Sequence, residues 1–361
     1  MDSPITIRLG ARARQRIAAE GLQPADIAII PAAAGGPKGL ILNGIDTWLS
    51  GDWLPRAPRE RRLIGASIGA WRMAAMAFAD PVAAHKRLAY HYTHQTYPAR
   101  VDAAYVTRTV RGLLDEVLAG HGEEVLAHPH HRLTVITARG IGPLAATGGA
   151  RWRELAGFIR AAAGNALSRG QLARGMERVL FHDVRDDGAW LRERFDAFTS
   201  HFVGLGATNL RGALLASGSI PLVLEAVRDI PGAPPGTYWD GGLVDYHLHL
   251  PYQRDPGLVL YPHFTDYIVP GWLDKSLPWR RARAQSGHLA LDNVVLVSPS
   301  PSFVARLPNR KLPDRNDFKH YGQDHAARIR DWTRAVDESE RMAEALARWA
   351  DKPDLRVTAS F

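Results

Sequence analysis

The chain has 361 residues, no cysteine, and a formal charge of +8 from 45 basic and 37 acidic side chains. That length can bury a large core, and the lack of cysteine excludes disulfides, thiolate metal sites and a cysteine nucleophile. The positive charge is spread along the chain, so it favours anionic partners in general (lipid surfaces, nucleic acid, acidic substrates) without choosing among them.

The opening Met1-Asp2-Ser3-Pro4-Ile5-Thr6-Ile7-Arg8 has no apolar core of signal-peptide length, and no run approaches the ~20 apolar residues that span a bilayer. A soluble, cytoplasmic protein, peripheral to a lipid surface at most, is the expectation. Residues 1–24 read as a polar lead-in with a short Arg- and Ala-rich helix. Ile27-Ala28-Ile29-Ile30 is an apolar run suited to a buried parallel strand. It leads through Ala34-Gly35-Gly36-Pro37-Lys38-Gly39 into a helix from Leu40 to about Leu49. Adjacent glycines can turn their backbone N–H groups toward a ligand or a developing oxyanion, whereas a plain helix entry needs only one glycine. The turn is no Walker A loop, since Gly39-Leu40 follow Lys38 where Ser or Thr is required, and Ala34 breaks a dinucleotide fingerprint.

Arg61-Arg62-Leu63-Ile64 brings a second apolar run to Gly65-Ala66-Ser67-Ile68-Gly69, and an Ala- and Met-rich stretch follows from Ala70 to Ala79. G-x-S-x-G at a strand–turn–helix junction is the pattern of a nucleophile elbow. The same pentapeptide also suits a connection whose small residues merely allow close packing. Residues 80–130 carry helical patterning. His85, Tyr90, His91, Tyr92 and His94 cluster there without a carboxylate, which suits a packed or solvated helix face better than a metal site. Leu133 to Ala138 reads as a strand closing at Gly140-Ile141-Gly142-Pro143. Residues 144–206 read as mostly helix, interrupted near Val179-Leu180-Phe181, and form the stretch best suited to a cap or lid; a solvated basic face is the alternative.

Ala207-Thr208-Asn209 opens a helix with Thr208 or Asn209 as cap, and Ser217-Gly218-Ser219-Ile220-Pro221 ends it. In Tyr238-Trp239-Asp240-Gly241-Gly242, two glycines directly after Asp240 make either a tight turn that leaves the carboxylate at its rim or a hairpin turn. Asp245, His247 and His249 alternate, so a strand would put them on one face, as a metal trio or as a source of histidine for Ser67. Gly257 to Pro262 and Val294 to Ser298 are further core-strand candidates. Between them, Pro270 to Gly287 holds Trp272, Trp279, Arg280, Arg281 and Arg283, a mixture that suits an interfacial surface or a packed loop. Pro299 to Asp317 looks irregular, and Tyr321 to Trp349 reads as one long amphipathic helix. Strands alternating with helices predict an α/β layer fold with a mainly parallel sheet. We take residues 1–361 as a single catalytic domain, with a core at about 25–300, a helical cap at about 144–206 and a C-terminal helical extension at about 318–350.

Four of these segments, in this order, resemble the patatin-like phospholipase family: the Gly-Gly-x-Lys-Gly turn, Gly-x-Ser-x-Gly, Ala216-Ser217-Gly218-Ser219-Ile220-Pro221, and Asp-Gly-Gly. They span residues 27 to 242, about two thirds of the chain, and the last 110 or so residues match no motif. The resemblance implies a three-layer fold with a mainly parallel central sheet flanked by helices. It also implies a serine–aspartate dyad without histidine, with Ser67 as nucleophile in an elbow bounded by Gly65 and Gly69. Asp240 is then the base, turned by Gly241 and Gly242. Gly35 and Gly36 become oxyanion donors, with Lys38 at the family's basic position and Gly39 closing the loop. Ala34 departs from the family, whose loop usually opens with a further glycine; its N–H survives, but a positive φ there would be disfavoured. The implied activity is hydrolysis of lipid carboxylic esters (phospholipid, lysophospholipid or another acyl ester) through acyl-Ser67, with no metal or cofactor. A free aspartate near pKa ~3.9 is a poor base at neutral pH, and burial would improve it. Two other functions fit the same residues: a transacylase that passes the acyl group to an alcohol, and a non-catalytic lipid- or membrane-binding scaffold docked through residues 272–283. Nucleic acid is not an expected partner, because charge is its only support.

Overall fold

Two short runs, Ile27–Ala32 and Arg61–Ala66, are buried almost throughout, as strands covered on both faces must be. In the computed structural model, which describes residues 3–145, 151–281 and 289–361, they lie side by side at the centre of an 11-stranded sheet. In chain order the strands are β1 (Ile5–Leu9), β2 (Ile27–Ala32), β3 (Arg61–Ala66), β4 (His131–Gly140), β5 (Met176–Asp183), β6 (Ser200–Leu205), β7 (Val227–Arg228), β8 (Thr237–Asp240), β9 (Leu258–Pro262), β10 (Val294–Pro299) and β11 (Ala359–Ser360). The spatial order is β11-β1-β10-β9-β2-β3-β4-β5-β6, and β8 pairs with both β4 and β7. The pairs from β10 through β9, β2 and β3 to β4 are all parallel, and helices flank the sheet. Antiparallel pairs enter at β1–β10, β4–β5 and β8. This is the α/β architecture with a mainly parallel sheet that the alternation of elements predicts. Among the described residues, no helix is long and apolar enough to cross a membrane.

Several elements differ from the sequence reading. The polar lead-in contains β1, whose alternating buried and half-buried side chains form a five-residue strand between β10 and the two-residue β11, before the helix Ala11–Glu20. The expected helix from Leu40 is a 3-10 stretch over Gly36–Leu42, an α-helix over Asn43–Trp48 and a π-turn over Leu49–Trp53. Residues 144–206 are helical only in part: Arg151–Leu167 and Arg169–Leu172 are helices, but Val179-Leu180-Phe181 lies inside β5, and β6 follows. That half of the expected cap therefore belongs to the central sheet. Asn209 does precede the helix Leu210–Ser217, yet its side chain makes no cap bond and holds the Gly206 N–H and the Gly204 and Pro231 carbonyls instead.

The long C-terminal helix is broken into Asp317–Tyr321, His325–Glu338 and Glu340–Asp351. Gly322 makes the first break at φ +53. The second falls at Ser339, whose hydroxyl accepts the Gly44 N–H at 2.8 Å. A Cβ on Gly44 would sit 2.5 Å from the Ser339 carbonyl oxygen, so the two backbones touch and the helix opens to admit that contact. Pro299 to Asp317 carries a short helix, Pro301–Val304, and a helical turn, Pro308–Arg310.

Candidate active site

β3 delivers the chain to Ser67, which holds φ 55 and ψ −132, and the fully buried helix Ile68–Met76 starts at the next residue. A side chain other than glycine is strained at positive φ, so Ser67 sits in a turn its own type disfavours. Its neighbours have no room to be larger. A Cβ on Gly65 would lie 2.5 Å from the Ala70 nitrogen, and one on Gly69 would lie 1.9 Å from the Ala32 oxygen. The pentapeptide is thus both a strained serine turn and a close-packed connection, because the second makes the first attainable. The Ser67 N–H donates to Ser217 Oγ at 2.8 Å, and Ser217 donates in turn to the Ile136 carbonyl at 2.7 Å. Ser217 is a positioning residue for the elbow that the sequence reading left without a role.

The register of β4 brings Asp240 to Ser67. Along one edge of β4, Arg61–Ala66 of β3 pairs as far as Ile136, and β8 then takes over with Asp240 opposite Thr137. The last residue of β8 therefore lands beside the first residue after β3. Ser67 Oγ donates to Asp240 Oδ2 at 2.7 Å, the Gly242 N–H donates to Oδ1 at 2.7 Å, and the Asp240 N–H donates to the Ser219 carbonyl at 2.8 Å. Ser67 and Asp240 are 4% and 6% exposed, too little for water to hold the carboxylate charge. Burial raises the Asp240 pKa, opposed by the Arg315 charge and by the hydrogen bonds from Ser67 and Gly242. Asp240-Gly241-Gly242 is no hairpin turn: the chain continues into a helical turn, Gly241–Leu243. A Cβ on Gly241 would lie 2.2 Å from the Ile136 oxygen, and one on Gly242 2.7 Å from the Ala34 Cβ.

The glycine-rich turn after β2 packs against the same elbow. Gly35 is extended, and its place is fixed by Phe264, whose ring a Cβ would meet at 2.5 Å. Positive φ falls on Gly36, at +56, and not on Ala34, so the alanine in place of a further glycine brings no backbone strain. The Ala34 N–H is already bonded to the Tyr246 carbonyl at 2.9 Å. At Gly39, a Cβ would lie 3.2 Å from Ile68 of the elbow helix. The first amides of the Gly36–Leu42 turn and of the helix after Ser67 have no acceptor within their own helices, as at any helix start. A buried bidentate ion pair, Arg72 to Asp46 at 2.6 and 2.8 Å, ties the elbow helix to the segment that follows the glycine turn.

A cavity of about 250 Å³ opens over Asp240 and Gly242. Its apolar wall is Ile220, Pro221, Leu243, Tyr246 and Trp272, and its polar wall is Lys38, Lys275, Asp314, Arg315 and Asn316. Lys38 is half-buried with Nζ 5.4 Å from the Phe264 ring centre. Desolvation lowers its pKa, with Asp314 opposing and Lys311 and Arg315 adding to the effect. Tyr246 and Arg315 carry no signal in the sequence, each standing in a loop with neither motif nor periodicity, and Lys275 is marked only as part of the stretch 272–283.

The alternating Asp245, His247 and His249 do not form a strand. Asp245 is taken by Arg178 of β5, with bonds of 2.6 and 2.9 Å. His247 is buried beside His263 and Phe264, and its Nδ1 accepts the Val269 N–H at 3.2 Å. Burial pushes its pKa well below the ordinary histidine value, with the His263 charge adding to the effect. The Ser67 hydroxyl bonds to Asp240 and not to a histidine. Among the described residues, no three His, Cys, Asp or Glu side chains are gathered to hold a metal ion. Of the aromatic–basic stretch, Trp272 reaches the cavity, Trp279 is 70% exposed, and Arg283 lies outside the described residues.

Compared with protein-family models the chain matches none, and compared with curated proteins it likewise matches none.

Proposed function

We propose that the protein is a patatin-like serine acyl hydrolase that cleaves carboxylic esters of lipids through an acyl-enzyme on Ser67. The observation that carries this reading is the 2.7 Å hydrogen bond from a strained elbow serine to a buried aspartate. Asp240 takes the Ser67 proton as Oγ attacks the ester carbonyl. The tetrahedral oxyanion is stabilised by the amides of Gly35 and Gly36 and by the start of the helix after Ser67, where loss of one such donor typically costs ~3 kcal/mol. Protonated Asp240 then gives its proton to the departing alkoxide. In the second half, Asp240 deprotonates a water that attacks acyl-Ser67, and it passes that proton to Ser67 Oγ as the carboxylic acid leaves. Raising the pKa of the base brings it closer to the operating pH, which is the direction general-base catalysis favours. In the same reading the protein is cytoplasmic and meets lipid surfaces peripherally, with the exposed Trp279 among the contacting side chains.

A fluorophosphonate probe tests the assignment. It is expected to phosphonylate Ser67 at one-to-one stoichiometry, located by peptide mass spectrometry, and to leave Ser67→Ala unmodified. A folded protein that takes no label yet binds lipid vesicles would instead be a scaffold. The pH profile gives a second check. The base must be unprotonated, and burial raises its pKa, so kcat/KM is expected to fall on the acid side with a midpoint above the ~3.9 of a free aspartate.

A further inference from the structure

Three cationic side chains line the cavity over Asp240. Lys38 comes from the turn after β2, Lys275 from the segment between β9 and β10, and Arg315 from the segment after β10, so three distant stretches converge on one wall. None of the three side chains is within ion-pair distance of a carboxylate among the described residues. The nearby Asp314 is paired with Lys311 at 2.9 Å, and Asp240 is engaged by Ser67 and Gly242. Aromatic faces, not acids, stand behind two of the cations: Lys38 Nζ lies 5.4 Å from the Phe264 ring centre and Lys275 Nζ lies 5.3 Å from that of Tyr246. Arg315 reaches over the glycine turn so closely that a Cβ on Gly36 would meet its Nε at 3.2 Å.

Like charges around one concavity repel each other in the empty protein, and an anion placed among them relieves that repulsion. Desolvation first, and the neighbouring cations after it, hold both Lys38 and Lys275 below the usual lysine range against the opposing charge of Asp314. The cations line the same cavity as Asp240, whose carboxylate accepts the Ser67 hydroxyl. An anion held here would therefore sit close to the scissile bond and not at the far end of a chain.

We propose, resting on the acyl-hydrolase reading, that the substrate carries an anionic group, carboxylate or phosphate, adjoining the scissile ester, and that Lys275 and Arg315 together with Lys38 select for it. Arg315 offers a planar fork that pairs with two oxygens at once, whereas Lys38 and Lys275 act as point charges.

The test compares matched esters. The 4-nitrophenyl monoester of glutaric acid against 4-nitrophenyl butyrate places the charge on the acyl side. A 1-butyryl-glycerol 3-phosphate against 1-butyryl-glycerol places it on the alcohol side. In at least one arm kcat/KM is expected to favour the anion by about tenfold or more at low salt, with the preference shrinking as salt rises. The arm that responds identifies the source of the charge. Lys275→Gln/Arg315→Gln is expected to erase the preference, and Lys275→Arg/Arg315→Lys to keep most of it. Equal or better turnover of the neutral ester in both arms, or a preference unchanged in the glutamine variant, overturns the proposal. Failure of the hydrolase reading registers separately, as the absence of fluorophosphonate labelling. In that case calorimetric titration with glutarate and inorganic phosphate decides: saturable binding lost in the glutamine variant supports the anion site, and equal binding or none overturns it.

Discussion

Asp240→Asn and Ser67→Ala are each expected to lower kcat/KM for an activated ester by about 10⁴-fold or more, with no further loss when the two are combined. Asparagine is nearly isosteric with aspartate: its Oδ1 can still accept the Gly242 N–H, and its amide can donate to the Ser67 hydroxyl in place of accepting from it, so the turn keeps its shape. What it loses is the capacity to take a proton. Alanine at position 67 removes the nucleophile and leaves the elbow backbone in place, since the Ser67 N–H to Ser217 bond does not involve the lost hydroxyl. The non-additivity is the informative part, because a nucleophile and its base act as one unit. Steady-state kinetics on the singles and the double, with thermal unfolding to show that each is folded, make the measurement. Wild-type turnover in folded Asp240→Asn would end the dyad reading.

Arg178→Met is expected to cost about 3–5 kcal/mol of stability, the usual penalty for leaving a buried charge without its partner. Arg178 is completely buried on β5 and holds two carboxylates, Asp245 at 2.6 and 2.9 Å and Asp196 at 2.6 and 3.2 Å. Methionine replaces only the aliphatic stem of the side chain and strands Asp245, itself 2% exposed. Adding Asp245→Asn is expected to recover part of the loss, because the remaining group is then neutral. Denaturant unfolding of the single and double variants gives both numbers. Asp245 follows the proposed base by five residues, so this pair also anchors the chain just beyond the Asp240 turn. The single variant should therefore lose activity at temperatures well below its unfolding midpoint.

Sequence made some of this plain and hid the rest for identifiable reasons. Ser67, Asp240 and the glycines beside them are legible because close backbone approach and a strained turn leave local marks, small residues at fixed spacing. β2, β9 and β10 are legible because strands buried on both faces become apolar runs, and β3 because Leu63-Ile64 leads straight into the elbow pentapeptide. β5 was not, since Glu177, Arg178 and His182 make it look polar, and only the partners of Arg178 in other elements explain a buried cation there. β1 does alternate, but over five residues beside an arginine-rich helix. The breaks at Gly322 and Ser339 interrupt a stretch whose apolar stripe runs on regardless, and the contact that opens the second comes from Gly44, nearly 300 residues away. Lys275 and Arg315 are loop cations like many others in the chain until the fold sets them on one wall.

The strained backbone at Ser67 bears on how such a chain would change over generations. A non-glycine residue held at positive φ costs the folded state ~1–3 kcal/mol, and glycine in its place would not. Asp240 works in the same direction. Its raised pKa means that the folded state favours the protonated form, so the stability this group contributes is full below the unfolded pKa and lost as pH rises through the folded one. At neutral pH, Ser67→Gly and Asp240→Asn are therefore both changes that ease folding. A lineage of this protein released from any demand for catalysis would accept these two substitutions early, well before its core eroded. Following the two positions across descendants would date the loss of use more sharply than any measure of overall divergence.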